Sequence, residues 1–475
     1  MARHHLPLRF PSMHSRIPRL LPLVVVLLSL PTLAHAQMRA VALKRGTILT
    51  GDGRTIREGT LLFQNGRISR IGKDFKTPFL TKGVSARGKF ITPGLIDVWS
   101  TLALRTGGGS DDPQARAADG FDRYAADEIE AALAGGVTAV YLPARTRSGV
   151  GGLGAVVRLR PGGGLSDIIV SDESALCATL GVDPSRGPLA RVKAVIQFRK
   201  RWQTAKDYRE ALEDYEESVE EYEKELKKRG ESAEKETPEK EKQRALSDDE
   251  SVDGQPRRRR RGGGPPSSKA DKADGKKDEV KKPKAPPRDR KSELLLRVID
   301  GELPLRVEVH RPEDILNLLA VSREFNLRLI IEGGSGAYLL AEKLAEADVP
   351  VILGSPSSSM RFDGGPRRYA TLDAAARLSE AGVTVYQGSG PNADTRNLLL
   401  LAAQRVAQGL DRDAALRLIT LDAAKLLGLD GEMGRLARGM SADFVVWSDH
   451  PFNPAARVEQ VYIAGVEVYH AEESP

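Results

Sequence analysis

The sequence predicts an α/β protein: a (β/α)8 barrel, a composite β-sandwich built from the two ends of the chain, and a helical and disordered insertion. Three observations predict it. Both ends of the chain alternate apolar and polar residues at the period of strands. Between them, short β-branched runs follow helical stretches of about a dozen residues, the pattern of parallel strands with crossover helices. One long charged stretch belongs to neither pattern. With the β-rich ends paired elsewhere, a closed barrel fits the middle better than an open sheet.

Taken in order, residues 1–36 read as a signal peptide. Arg3, Arg9, Arg16 and Arg19 precede the apolar "LLPLVVVLLSLPTLA", and Ala34-His35-Ala36 gives a small-x-small cleavage site before Gln37. The apolar run is short for a membrane span, although an uncleaved anchor is the competing reading. The expected location is exported, periplasmic or extracellular. Cys177 is the sole cysteine, so an intrachain disulfide is excluded and the exported protein depends on a large core.

Residues 37–92 and 432–475 are assigned to the composite sandwich. In "TLLFQNGRISRI", Asn65-Gly66 separates two alternating runs, and both positions tolerate positive φ, which makes a tight hairpin. "ADFVVWSD" is a strand and "VEQVYIAGVEVY" a hairpin turning near Ala464-Gly465. Residues 93–228 and 292–431 are assigned to the barrel. Its strands include "GGVTAVYLPA", "LPLRVEVH", "LRLIIEGG", "VPVILGS" and "VTVYQGSG".

Within the insertion, residues 195–228 form a long helix. Ala205, Tyr208, Leu212, Tyr215, Val219, Tyr222 and Leu226 are spaced three and four apart, a heptad seam. That seam either packs on its own barrel or meets a protein partner as a coiled coil over 205–226. Residues 229–291 are charged and rich in Pro, Gly and Ser, too poor in apolar residues to offset the entropy of ordering, and are expected to be disordered.

The net charge of +7 is concentrated in two places. Removing the four charges of the first twenty residues and the six net charges of 229–291 leaves about −3 for the rest. The basic pI therefore does not describe a nucleic-acid-binding face, and no nucleic acid is expected as a partner. Arg257 to Arg261 are read as a solvated tether or a contact to an anionic envelope surface.

The chemistry turns on "ITPGLIDVWSTLAL", Ile91 to Leu104. "GLIDVWSTLAL" resembles the first barrel strand of the amidohydrolase superfamily, where Gly-Leu-Ile-Asp is followed by two histidines one residue apart. "GRISRIG", "GKFITPGLID", "ITLDAAKLLGLDGEMGRLARGMSADFVV" and "ADFVVWSDHPFNPAARVEQVYIAGVEVY" are similar to that superfamily's framing segments, most nearly in its imidazolonepropionase-like branch. The resemblance covers nearly everything from about residue 40 except the charged insertion. It implies a TIM barrel with a composite sandwich and hydrolysis of carbon–nitrogen, non-peptide bonds. It also implies one or two divalent metals that activate water. The ligands would be two first-strand histidines, a bridging lysine or glutamate, a histidine on each of two later strands, and a last-strand aspartate that doubles as general base.

Carried onto this chain, the first-strand histidines fall on Trp99 and Thr101, and the next histidine falls on Glu308 or, with a slip of two, on His310. The following one falls at or beside Glu332, and the last-strand aspartate on Gly390; the bridging lysine has no counterpart. His4, His5, His14 and His35 belong to the leader and His450 and His470 to the tail, so His310 is the barrel's one histidine and a three-histidine zinc site cannot be built. No cofactor is expected; the alternative is one hard divalent metal ion held by Asp97, Glu308, His310 and Glu332. Against it stands a structural role in which Glu308 and Glu332 pair with arginines such as Arg306, Arg328 or Arg396 and Asp97 bonds local backbone. A metal-free acid/base pair from Glu308 and Glu332 is a third reading. Trp99 either plugs the metal cavity or floors a pocket for a small-molecule ligand at the barrel mouth.

Other signatures fail. Gly149 to Gly154 match G-x-G-x-x-G, but a strand follows where a phosphate site needs a helix, so a barrel loop is expected. Ser335 in "GGSGA" and Ser389 in "QGSGP" lack the G-x-S-x-G context, and only His310 could serve either as a base. Cys177 is expected to be a small core residue. The expected function is that of an exported amidohydrolase-like protein without the superfamily's metal ligands, acting in binding or scaffolding; a carbon–nitrogen hydrolase with a rebuilt Glu/His site is the alternative.

Overall fold

The structure, a computed structural model, describes residues 40–104, 112–181, 188–245, 281–355, 369, 371–391 and 395–472. The signal-peptide reading and Arg257 to Arg261 lie outside the described residues. No helix among the described residues is long and apolar enough to cross a membrane.

The ends of the chain form one eight-stranded sheet. Its strands are β1 (Val41–Leu49), β2 (Thr55–Gln64), β3 (Arg67–Gly72), β4 (Lys82–Ser85), β5 (Phe90–Pro93), and, after the barrel, β14 (Phe444–Trp447), β15 (Val458–Ile463) and β16 (Val466–His470). The order is β16-β15-β14-β5-β1-β2-β3, with β4 also on β1, so β5 and β14 stitch the two ends together. Both hairpins turn where the sequence places them. Asn65 and Gly66 sit at φ 53° and 76°, Ala464 and Gly465 at 47° and 71°, the left-handed pairs of a type I′ turn. Leu43, Ile48, Leu61, Phe63, Phe444 and Tyr462 form its core, and the strands of the two chain ends are hydrogen-bonded into one continuous sheet.

The barrel strands are β6 (Leu95–Asp97), β7 (Val137–Leu142), β8 (Gly149–Arg158), β9 (Ile169–Thr179), β10 (Leu305–Val309), β11 (Leu329–Gly333), β12 (Val351–Leu353) and β13 (Val385–Gln387). They pair in chain order, and a parallel bridge between Ser100 and Gly390 brings the first and last strands together. Alternation divides each strand. Leu305, Val307 and Val309 pack outward against helix residues such as Ile315 and Leu318, leaving Arg306 and Glu308 on the barrel's inner face.

One expectation is overturned here. Gly149 to Gly154 are not a loop but the first half of β8, which runs antiparallel to both neighbours, with no helix between β7 and it and only the four-residue helix Leu165–Ile168 after it. The glycines have a packing reason. A Cβ on Gly152 would lie 2.1 Å from the Ala115 carbonyl oxygen, and one on Gly154 would lie 2.1 Å from the Tyr141 hydroxyl. The strand is glycine-rich because other groups press against its backbone.

The long helix spans Pro188–Ala245, wider at both ends than the heptad reading. Its first turns belong to the barrel: Phe198, Trp202 and Ala205 are buried in the same cluster as Leu294 and Val298 of the helix Arg290–Ile299. Tyr208 accepts a hydrogen bond from the Asp289 amide (3.3 Å), and Arg209 pairs with Asp300 (2.7 Å). Farther along, the seam emerges, and Leu226 is exposed.

Candidate functional site

Asp97 ends β6 and is fully buried. Its Oδ1 accepts hydrogen bonds from the backbone amides of Trp99 (3.1 Å) and Ser389 (2.9 Å), while Oδ2 has no partner. Burial pushes its pKa up to about 6, against the pull of these donors. The carboxylate clamps the first barrel strand to the segment after the last. Gly390 completes the seam by donating from its amide to the Trp99 carbonyl (2.8 Å). Gly388 is forced to be glycine, since a Cβ there would sit 2.7 Å from that of Trp99.

The Trp99 ring is 1% exposed and packs in a cluster with Ile96, Val98, Ile330 and Ile352. It plugs the barrel and does not floor an open pocket. Thr101 lies just past the seam, half-buried.

Below the mouth, the Arg306 side chain is buried inside the barrel. Its Nε donates to Glu332 (2.6 Å), a terminal nitrogen donates to the Val98 carbonyl (2.5 Å), and the guanidinium stacks 3.5 Å from the Tyr141 ring centre. Arg306 and Glu332 are each about 2% exposed. Burial raises the pKa of Glu332 while the Arg306 charge opposes it. The Tyr141 hydroxyl meets the Cys177 thiol (3.2 Å), which burial pushes up to about 12. Cys177 is therefore a core thiol and not a nucleophile.

Glu308 lies one layer nearer the mouth. Arg145, three residues beyond the end of β7, grips it with both nitrogen positions at 2.8–3.1 Å. Burial would raise the Glu308 pKa, but His310 and Arg145 outweigh it and hold it below the ordinary carboxylate value. His310 Nε2 lies 3.7 Å from Glu308, and its Nδ1 is 2.9 Å from the Ser335 hydroxyl.

Glu332 thus meets Arg306, one of the anticipated partners, whereas Glu308 meets Arg145, which the sequence reading did not single out. The four-residue set Asp97, Glu308, His310 and Glu332 does not come together. Among the described residues no three His, Cys, Asp or Glu side chains are grouped so as to hold a metal ion. Nor does the Glu308–Glu332 acid/base pair survive, since each carboxylate is neutralised by its own arginine. The donor set does not suit the implied divalent metal: a cation is already fixed at the barrel centre, and a tryptophan and a threonine stand at the first-strand positions. A cavity of about 860 Å³ opens at the opposite, N-terminal end of the strands, lined by Arg328, Pro350, Thr384 and Tyr386 among others, away from these residues.

Comparisons with known proteins agree with the fold. A family model described as "Amidohydrolase family" matches residues 342–469. The chain is 26% identical over 183 residues to the amidohydrolase tasK of Hapsidospora irregularis, a match covering 38% of this chain and 19% of that protein's length. Among solved structures, an amidohydrolase from Thermotoga maritima superposes with a TM-score of 0.68 at 26% identity, covering 91% of this chain and all of the other. A putative prolidase from Bifidobacterium longum gives a TM-score of 0.50 at 17% identity, covering 91% and 95%, a likeness of fold alone.

Proposed function

We propose that this chain, which belongs to the amidohydrolase superfamily, is a metal-independent member that has given up hydrolysis by metal-activated water and works at its barrel mouth in binding or scaffolding, outside the cytoplasm. One observation carries the reading: the guanidinium of Arg306, fully buried, is ion-paired with Glu332 on one side and hydrogen-bonded to the Val98 carbonyl on the other. A divalent ion placed beside that fixed positive charge would be repelled in a low-dielectric interior, where two like charges a few ångströms apart cost several kcal/mol. Most of the groups that would have to receive the ion are committed elsewhere. Asp97 clamps the barrel seam, Glu308 is held by Arg145, and Trp99 occupies interior volume.

The alternative, a carbon–nitrogen hydrolase with one hard metal ion, needs Glu308 and Glu332 to abandon their arginines. Export rests on the leader sequence, and a mature amino terminus at Gln37, read by mass spectrometry of the secreted protein, tests it. The metal reading is tested by melting the protein with zinc, manganese, magnesium or calcium in excess. A ligand bound by the folded state alone raises the transition, by about 2.7 kcal/mol at a hundredfold excess over Kd. No shift is expected with any of the four. A saturable upward shift with one of them, lost in Glu308→Ala, would overturn the reading.

A further inference from the structure

The mouth of the barrel holds a second arrangement that the metal question leaves untouched. Ser335 sits at the apex of a sharp turn between strand β11 and a short 3-10 helix, Ala337–Leu340. The turn is made by Gly333 and Gly334, at φ 86° and 50°, and by Gly336. It is wrapped around His310. A Cβ on Gly333 would lie 2.4 Å from the imidazole Cε1, one on Gly336 would lie 2.9 Å from the His310 carbonyl oxygen, and the Gly336 amide donates to that same carbonyl at 2.9 Å. The result is a hydroxyl 2.9 Å from His310 Nδ1. The opposite ring nitrogen, Nε2, is buried without a hydrogen-bond partner and faces the Glu308 carboxylate at 3.7 Å. Arg145 holds that carboxylate in place through both its oxygens. Ser335 and His310 are half-buried, so the hydroxyl end of the relay is open to the mouth while Glu308 is not.

We propose that Ser335 is a nucleophile served by His310 as general base, with Glu308 and Arg145 as positioning residues, and that it accepts acyl groups from carboxylic esters. A serine on a sharp strand-to-helix turn, a histidine within hydrogen-bond reach and a carboxylate behind the histidine are the roles such chemistry requires, whatever the fold that supplies them. For Nδ1 to take the hydroxyl's proton, the ring carries its own proton on Nε2, the nitrogen toward Glu308. Ser335 Oγ attacks the ester carbonyl carbon, and its proton passes to His310 Nδ1. Collapse of the tetrahedral adduct breaks the acyl carbon–oxygen bond, and the same proton leaves on the alcohol. Water then attacks the acyl-serine, giving its proton to Nδ1, and that proton returns to Ser335 Oγ as the carboxylic acid departs. Every proton that His310 takes it gives back, and water is the only co-reactant. The proposal does not depend on Arg306 or on the metal-free reading, although it gives the mouth a chemistry of its own.

The test is labelling of the full mature protein with a fluorophosphonate probe, followed by intact mass and peptide mapping, beside turnover of p-nitrophenyl acetate with and without a chelator. The expected result is one adduct, on Ser335, absent in Ser335→Ala and formed about a hundredfold more slowly in His310→Gln, within the usual contribution of a general base. The melting temperature of each variant shows that it is folded. No adduct on the folded wild-type protein, or an adduct whose rate is the same in His310→Gln, overturns the proposal. Chelator-resistant ester turnover without a Ser335 adduct sinks this proposal and leaves the metal-free reading standing. Turnover abolished by chelator and restored by metal sinks the metal-free reading, and the adduct then decides this proposal separately.

Discussion

Replacing Arg306 by methionine removes the cation at the barrel centre and leaves Glu332 buried without its partner. Both groups are about 2% exposed and joined at 2.6 Å, and the guanidinium also satisfies the Val98 carbonyl and covers the Tyr141 ring. Breaking a buried pair from one side typically costs about 3–5 kcal/mol, because the remaining charge stays desolvated. Replacing both partners with apolar residues of similar size is often near neutral. The double variant Arg306→Met/Glu332→Leu should therefore recover most of the loss, landing within about 1.5 kcal/mol of wild type among neighbours such as Ile330 and Ile352. The penalty in the single variant should also depend on pH. The carboxyl of Glu332 is raised by burial even with Arg306 present, and a raised carboxyl is stabilising when protonated and loses that contribution as pH rises through its folded-state pKa. Arg306→Met should thus be less harmful at pH 5 than at pH 8. Urea unfolding followed by tryptophan fluorescence, with Trp99 adjoining Val98, reads all three quantities. A single-variant loss under about 1 kcal/mol, or a double variant no better than the single, would refute the claim that a buried ion pair organises the barrel centre.

Three further outcomes are expected. Asp97 titrates at about 6 in the folded protein against an ordinary 3.8, so the folded state binds the extra proton between those values and stability falls as pH rises across them, by about 3 kcal/mol for this group alone. Asp97→Asn should abolish that component, visible as the difference between two stability–pH curves, and parallel curves would refute it. Gly154→Ala should cost about 1–3 kcal/mol by pushing the Tyr141 hydroxyl, 2.1 Å from the new methyl, off Cys177; an unchanged melting temperature would mean that β8 has room to move. Gly333→Ala, at φ 86° with the imidazole 2.4 Å from the added carbon, should lower stability and slow Ser335 labelling together. Slowed unfolding, or labelling at the wild-type rate, would contradict it.

What the sequence revealed and what it hid divide along the range of the interactions. The hairpins at Asn65-Gly66 and Ala464-Gly465 were legible because turn chemistry is local. That Trp99 and Thr101 stand where the resemblance places two histidines was legible because a strand fixes spacing along itself. The first half of strand β8 was misread as a loop because its glycines answer to Tyr141 and Ala115, contacts outside the strand itself. Glu332 meeting Arg306 was foreseen only as one of several arginine pairings, and Arg145 closing on Glu308 was not foreseen. Ser335 and His310 stand 25 residues apart on adjacent strand ends, and the short motif around the serine carried no sign of the histidine. Its three glycines were the one available signal, since such a cluster at a strand's end implies something large pressed against the backbone.

Elemental analysis of the mature protein, residues 37–475, purified without a histidine tag or chelator, bears most directly on the metal-independent reading. No stoichiometric metal is expected, before or after incubation with zinc, manganese, magnesium or calcium followed by desalting. One equivalent of bound metal, lost on Glu308→Ala together with thermal stability, would mean that the arginines yield and that the barrel still builds a metal site.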